Sequence, residues 1–255
     1  MLNRGLRISQ IILFYTMLIW LGAMLLLGNL LALPLLFVPR VWREPLMQYA
    51  ISRLCRLFLA GAERCGLMRI DLSALDSLGR QGPLLLVPNH PSMIDAFLVL
   101  SRLPRLTCLM KASIGCNLFL GIGARLAGYV SNRHPADMFR TAIACVRSGK
   151  QLLIFPEGTR TSRWPINPLQ GAAVLVARKS GAPLQTILIS TNSPYLSKGW
   201  KIWQPPQFPL VYRAEPGRRF ATGEQPDDTT AALQNYFETV LPQPIDPRLA
   251  TGKNS

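Results

Sequence analysis

The chain has 255 residues, 49% of them hydrophobic and only 16% charged, and 28 lysines and arginines against 13 acids give a net charge of +15. That length holds one domain with an anchor, and the basic balance favours anionic partners such as phospholipid headgroups, nucleic acid or an acidic protein. The five cysteines (Cys55, Cys65, Cys108, Cys116, Cys145) form no C-x-x-C pair, and the two histidines stand at no zinc spacing, so reduced thiols facing the cytosol and no metal are expected.

Residues 8–39 carry no charge, with Arg4 and Arg7 before them and Arg40 and Arg43 after. A run of this length enters a bilayer. Gly28, Asn29 and Pro34 interrupt it, which leaves a tilted span or a helical hairpin dipping into one leaflet; basic residues on both flanks lean toward the hairpin. The apolar run exceeds that of a cleaved signal peptide. Residues 1–44 are therefore assigned to an anchor, 45–242 to an α/β domain and 243–255 to a loose tail.

Pro45 to Leu67 reads as a helix whose apolar stripe, interleaved with arginines, suits a membrane surface or the domain core equally. Met68 to Leu72 is the first predicted strand, and Ser73 to Gln81 a loop. The apolar run Leu84-Leu85-Leu86-Val87, bounded by Pro83 and Pro88, reads as a short buried strand. Asn89 then offers a cap, and Pro91 and Ser92 suit a first helical turn. His90 stands at that junction. Asp95, five residues on, lies about one and a half turns into a helix that starts promptly. A carboxylate there fixes one imidazole nitrogen and leaves the other free to take a proton, the layout of a general base and its orienting acid.

Leu106 to Met110 forms the next strand and presents Lys111, a candidate phosphate contact. Gly121 and Gly123 do not continue into a dinucleotide fingerprint, because position 126 is Leu. Val130 and Ser131 form a short strand before Arg133, and residues 136–148 a helix closed by Gly149. Leu152 to Ile154 leads into Phe155-Pro156-Glu157-Gly158-Thr159-Arg160, an acid, a flexible glycine, a hydroxyl and a guanidinium at one strand end. Arg160 suits bidentate phosphate binding, and Gly158 allows close backbone approach. A helix over 169–179, a strand over 183–189, short strands with basic loops over 191–226 and a closing helix over 227–241 complete the pattern. Alternation of this kind argues an α/β domain around one sheet.

The Asn89-His90…Asp95 block and the Phe155 to Arg160 block, in this order and at this separation, resemble the lysophosphatidate acyltransferase family of glycerolipid synthesis over about residues 82–189. The resemblance implies a single mixed sheet flanked by helices, as in glycerol-phosphate acyltransferases. It also implies acyl transfer from acyl-CoA or acyl carrier protein, with no other cofactor, to the free hydroxyl of lysophosphatidate. His90 and Asp95 are then the catalytic pair. Asn89, Lys111, Arg133, Glu157, Gly158, Thr159 and Arg160 bind substrate, with Arg133 and Arg160 converging on the acceptor phosphate. A further family block has a glycine six residues before its arginine; here Gly128 stands five before Arg133 and Ala127 six. A last block has a proline where this chain has Thr186, so only an apolar surface carries over there. These departures keep another acceptor open, such as a lyso-ornithine lipid. A rival of another class is a non-catalytic basic membrane-binding protein. Expected partners are membrane lipids, the lyso-lipid and the acyl donor, with the basic surface suiting an acidic carrier protein, and no nucleic acid. The expected location is a bacterial inner membrane, with the domain facing the cytoplasm. The oxyanion donors expected are amides at the helix start after His90.

Overall fold

The computed structural model describes residues 2–221 and 226–241. Its helices are α1 (Leu2–Ala32), α2 (Arg40–Arg64), α3 (Asp95–Arg102), α4 (Gly121–Leu126), α5 (Pro135–Arg147), α6 (Ala172–Ser180) and α7 (Pro226–Val240). The strands are β1 (Met68–Asp71), β2 (Leu85–Pro88), β3 (Leu106–Met110), β4 (Val130–Ser131), β5 (Gln151–Leu153), β6 (Leu184–Thr191) and β7 (Leu210–Phe220).

The strands form one mixed sheet in the order β1-β7-β6-β2-β5-β3-β4. β2, β3, β4, β5 and β6 run parallel, and β7 pairs antiparallel to β6. β2 lies at the centre, and all four of its residues are buried. That burial is why its sequence is continuously apolar rather than alternating. Its side chains still alternate between faces. Leu84 and Leu86 join the core that holds Phe58, Leu98 and Tyr212, whereas Leu85 and Val87 join the core that holds Met138, Val176 and Phe237. Helices therefore cover both faces: α1, α2 and α3 on one, α5, α6 and α7 on the other. The single mixed sheet flanked by helices is as expected.

Several local expectations give way to tertiary context. α1 runs unbroken through Gly28 and Asn29, because the Asn29 side chain finds partners outside the helix. It donates to the carbonyls of Leu118 and Phe119 at 2.9 Å and accepts from the Gly123 amide at 3.0 Å. The real break is a 3₁₀ turn over Leu33–Phe37, where Pro34 sits. α2 begins at Arg40 and carries Pro45 inside it, at its sixth residue. The boundary drawn between residues 44 and 45 thus falls within one helix. Ser73–Arg80 is a 3₁₀ helix rather than an open loop, with Leu75 and Leu78 buried beneath it. Residues 191–226 contain one strand of 11 residues, β7, rather than several short ones. The tail assigned to 243–255, and its boundary, lie outside the described residues.

α1 packs along the domain rather than standing clear of it. Phe14 is buried and meets Tyr195 and Phe208 edge-on or tilted. Trp20 meets Phe58 and lies so close to Gly61 that a Cβ there would stand 2.7 Å from its ring. The other face is apolar and open: Ile19, Leu31 and Phe37 are 74%, 78% and 92% exposed. Residues 5–37 are long and apolar enough to cross a membrane.

Candidate active site

β2 and β5 are neighbours and parallel, so the segments leaving their carboxyl ends lie side by side. His90 follows β2; Phe155 to Arg160 follow β5. In open parallel sheets this edge is where ligands bind.

His90 Nδ1 stands 2.9 Å from Asp95 Oδ2. The Asp95 side chain is fully buried and the His90 side chain 17% exposed, so the pair has one sealed end and one open one. The geometry differs from a dyad spanning one and a half turns. Residues 91–94 form a turn, and α3 begins at Asp95 itself. Its carboxylate folds back over that turn and also accepts the Ser92 amide at 2.7 Å. Burial pushes the Asp95 carboxyl above its usual range, opposed chiefly by its hydrogen bond to His90. With Nδ1 held by Asp95, the proton-accepting nitrogen is Nε2. The Phe155 ring stacks on the imidazole at 3.9 Å and holds its plane.

Both Glu157 oxygens are taken up within the protein. The residue is buried, and the oxygens accept from the His90 amide at 2.8 Å, the Thr161 hydroxyl at 2.8 Å and the Asn167 amide at 2.9 Å. The Thr161 amide in turn donates to the His90 carbonyl at 2.7 Å. This reciprocal bonding joins the two sequence blocks. Desolvation raises the Glu157 carboxyl, and its hydrogen bonds counter the shift. Gly158 has φ +66°, and the Gln170 side chain occupies the space where a Cβ would project. Both facts require glycine with no ligand invoked. Thr159 is partly buried beside it.

Asn89 does not cap a helix; its side chain bonds the backbone of β6. Its amide donates to the Ile189 carbonyl at 2.9 Å and accepts from the Ile189 amide at 2.7 Å. In the ladder Pro88 pairs with Ile187; Asn89 therefore continues the sheet with a side chain where the strand itself turns away. Arg160 Nη1 donates to the carbonyls of Leu196 and Ser197 at 2.8 and 2.9 Å. Those carbonyls belong to a loop that also receives Met93 N at 3.1 Å on Leu196 O and Ser92 Oγ at 2.9 Å on Tyr195 O. Leu196 adopts φ +60° to serve it, a conformation costing on the order of 1–3 kcal/mol for such a residue.

The expected oxyanion donors at the start of the helix are occupied. Position 91 is proline, and the amides of Ser92, Met93 and Asp95 bond within the turn or to the loop. Ser92 is fully buried with its hydroxyl on Tyr195, which rules it out as a nucleophile. Beneath the dyad lies Tyr212, fully buried and beside Ser92 and Thr191, its phenol pushed up to about 12 by burial. It came from the segment read as basic loops; no local pattern marks it. Thr186, at the departure from the last block, is buried and donates to the Arg218 carbonyl at 2.8 Å. It fastens β6 to β7.

Lys111 and Arg133 follow the ends of β3 and β4, which pair with Met110 opposite Ser131. The Asn132 side chain accepts the Ala112 amide at 2.8 Å and fixes the two ends together. Lys111 is exposed. Arg133 lines a cleft of about 510 Å³ with Arg40, Arg43, Glu44, Arg125 and Gly128 among others. Arg160 is not in its wall, so Arg133 and Arg160 do not converge there. Gly128 has φ +71°, and a Cβ would meet the Glu44 carboxylate at 2.6 Å. The one-residue displacement of this glycine thus has a local cause, the carboxylate of α2 packed against it.

Residues 69–190 match the family model described as Acyltransferase. Over 137 residues the chain is 25% identical to the chloroplastic 1-acyl-sn-glycerol-3-phosphate acyltransferase BAT2 of Brassica napus, covering 51% of this chain and 40% of that protein. Over 143 residues it is 32% identical to the lyso-ornithine lipid O-acyltransferase of Pseudomonas aeruginosa, covering 54% of each. These alignments span about half the length of the curated relatives or less. The fold resembles that of the 1-acyl-sn-glycerophosphate acyltransferase PlsC from Thermotoga maritima, with a TM-score of 0.67, 16% identity and 92% and 95% of the two chains covered. Family model, relatives and the paired blocks agree in kind: over residues 69–190 this chain is similar to acyltransferases, among them enzymes that act on lyso-lipids.

Proposed function

We propose that this protein moves a fatty acyl group from a thioester donor to the free hydroxyl of a lyso-lipid, with lysophosphatidate as acceptor and phosphatidate as product. The observation that carries this reading is the 2.9 Å His90–Asp95 pair, sealed at the carboxylate and open at the imidazole. His90 Nε2 takes the proton as the acceptor oxygen attacks the thioester carbon, the C–S bond breaks, and the proton passes to the leaving thiolate. Asp95 holds the tautomer and balances the imidazolium. Transfer is direct, because buried Ser92 offers no nucleophile. The donor is acyl-CoA or acyl carrier protein. The amides of Thr159 and Arg160 follow positive-φ Gly158 and make no hydrogen bond among the described residues; a turn of this kind cradles anions and supplies a seat for the oxyanion. Arg133 and exposed Lys111 supply charge for the headgroup. Glu157, Gly158 and Arg160 shape the base's surroundings.

α1 lies against the domain from Phe14 to Asn29, about 22 Å of its length, while its other face is apolar. A helix so attached dips into one leaflet and leaves the sheet edge at the cytoplasmic headgroups. The test is mass spectrometry of the lipids formed by the purified protein from a panel of lyso-lipids with each donor. Phosphatidate from lysophosphatidate is expected; no product from any lyso-lipid overturns the reading. A second acceptor, lyso-ornithine lipid, is favoured by the higher identity to the Pseudomonas aeruginosa enzyme, 32% against 25%, and the same panel decides between them.

A further inference from the structure

The cleft beside Arg133 has a composition that Arg133 alone does not account for. Arg40 and Arg43 come from the first turn of α2, Arg125 from α4 and Arg133 from the segment after β4. Four arginines line one space of about 510 Å³. The one acid in that wall, Glu44, is already paired with Lys150 at 3.0 Å. Among the described residues no hydrogen bond or ion pair engages the side chain of any of the four arginines, and Arg43 Nε is buried without a partner. Like charges gathered in one wall repel, and a buried N–H without an acceptor costs on the order of 1–3 kcal/mol. An anion in the cleft removes both penalties.

The helix that supplies two of the arginines also fixes the depth of the cleft. Arg40, Arg43 and Glu44 lie on one face of α2, at the i, i+3 and i+4 spacing. Its opposite face presents Val41, Trp42 and Leu46, 78%, 74% and 53% exposed, next to Phe37 at the α1–α2 turn. A helix with exposed apolar and aromatic groups on one side and arginines on the other lies at the lipid headgroup level. The cleft opens along the same sheet edge as His90, with β5 and β3 between β2 and β4. The end of β3 is therefore two strand spacings, ~10 Å, from that of β2. A lipid headgroup and extended arginine side chains together bridge that gap.

We propose that Arg40, Arg43 and Arg125 complete, with Arg133, the site for the acceptor lipid's anionic phosphoester headgroup, so that the helix next to the anchor selects the acceptor. This rests on the acyltransferase reading for its kinetic test but not for its binding test. The full chain in detergent micelles is compared with Arg40→Gln/Arg43→Gln and, separately, Arg125→Gln. In a His90→Ala background, binding of lysophosphatidate is set against binding of an uncharged monoacylglycerol. Loss of a charge-assisted contact should weaken lysophosphatidate binding ~10-fold in each variant and leave monoacylglycerol unchanged. In turnover, KM for lysophosphatidate should rise while KM for the acyl donor stays put. A rise confined to an acyl-CoA donor assigns the cleft to the donor's phosphates and overturns the proposal; so does an equal loss for the uncharged lipid, or no loss at all. If thermal melting shows the double variant unfolded, Arg125→Gln, an exposed side chain on another helix, decides alone. Arginine-dependent binding without turnover by wild type leaves the site standing and removes the proposed reaction; turnover indifferent to these arginines does the reverse.

Discussion

His90 exposes one nitrogen to the sheet edge and has the other buried on Asp95. His90→Ala should lower kcat by at least ~100-fold, the scale of lost acid–base help, in a lyso-lipid acylation assay; near-wild-type turnover would sink the assignment. The acidic limb of kcat/KM should fall where the coupled dyad takes up a proton. Burial raises the Asp95 carboxyl, so Asp95→Asn, which removes that group, should change the limb, and a pH–rate profile of the two proteins measures it. Glu157 is a scaffold residue, and its carboxyl is also raised. A carboxyl raised on folding contributes stability that is full below its unfolded pKa and lost as pH rises through its folded pKa. Glu157→Gln abolishes that dependence and turns one amide toward donors that need an acceptor. It should lower stability at neutral pH by about 1–3 kcal/mol and reduce kcat, with acceptor KM nearly unmoved. Melting curves from pH 4 to 8, set beside the kinetics, check both. Arg160→Lys loses the planar group that bridges two carbonyls. It should reduce stability and kcat together; a selective rise in acceptor KM would instead return Arg160 to the headgroup.

At the scale of elements, α1 and α2 form an antiparallel pair closed by the 3₁₀ turn at Leu33–Phe37 and sealed where Trp20 crosses Gly61. Gly61→Val has no room for its side chain. Overpacking of this kind typically costs ~1–3 kcal/mol, so the variant should melt lower and show an earlier-cleaved α1 under limited proteolysis; an unchanged melting temperature and cleavage pattern would show that the helices part freely. The α2–domain contact rests on different chemistry. Buried Gln48 donates to the Ala127 carbonyl at 2.9 Å and to Thr107 Oγ1 at 3.3 Å, ties that a purely lipid-facing helix would lack. α2 therefore has one face in the core and another carrying exposed Val41, Trp42 and Leu46, and both readings of its amphipathic pattern hold at once.

For the whole molecule, a net charge of +15 accompanies the apolar face of α1. The intact chain should pellet with membranes and resist extraction by 1 M salt, since apolar insertion is insensitive to the screening that weakens surface charge. Recovery in the salt wash would reduce the anchor to an electrostatic contact. Removing α1 should not give a well-behaved soluble domain. Phe14, Leu18 and Trp20 pack on the core that holds Phe58 and Tyr195, and their loss opens an apolar face prone to aggregation.

The sequence by itself determined the buried central strand, the α/β alternation, the histidine with its acid and the two blocks that carry the likeness to acyltransferases. Each is local: an apolar run between prolines, a histidine five residues from an aspartate, six consecutive residues after a strand. Only tertiary structure decided the partners of side chains whose contacts are far along the chain. Asn89 bonds to Ile189, 100 residues away, Glu157 to the His90 amide, 67 away, and Tyr212 reaches the dyad from a strand with no motif. Polar residues beside His90 read as ligand contacts in one dimension. In three, burial leaves their lone pairs and N–H groups no water, so they bond to whatever backbone the fold presents.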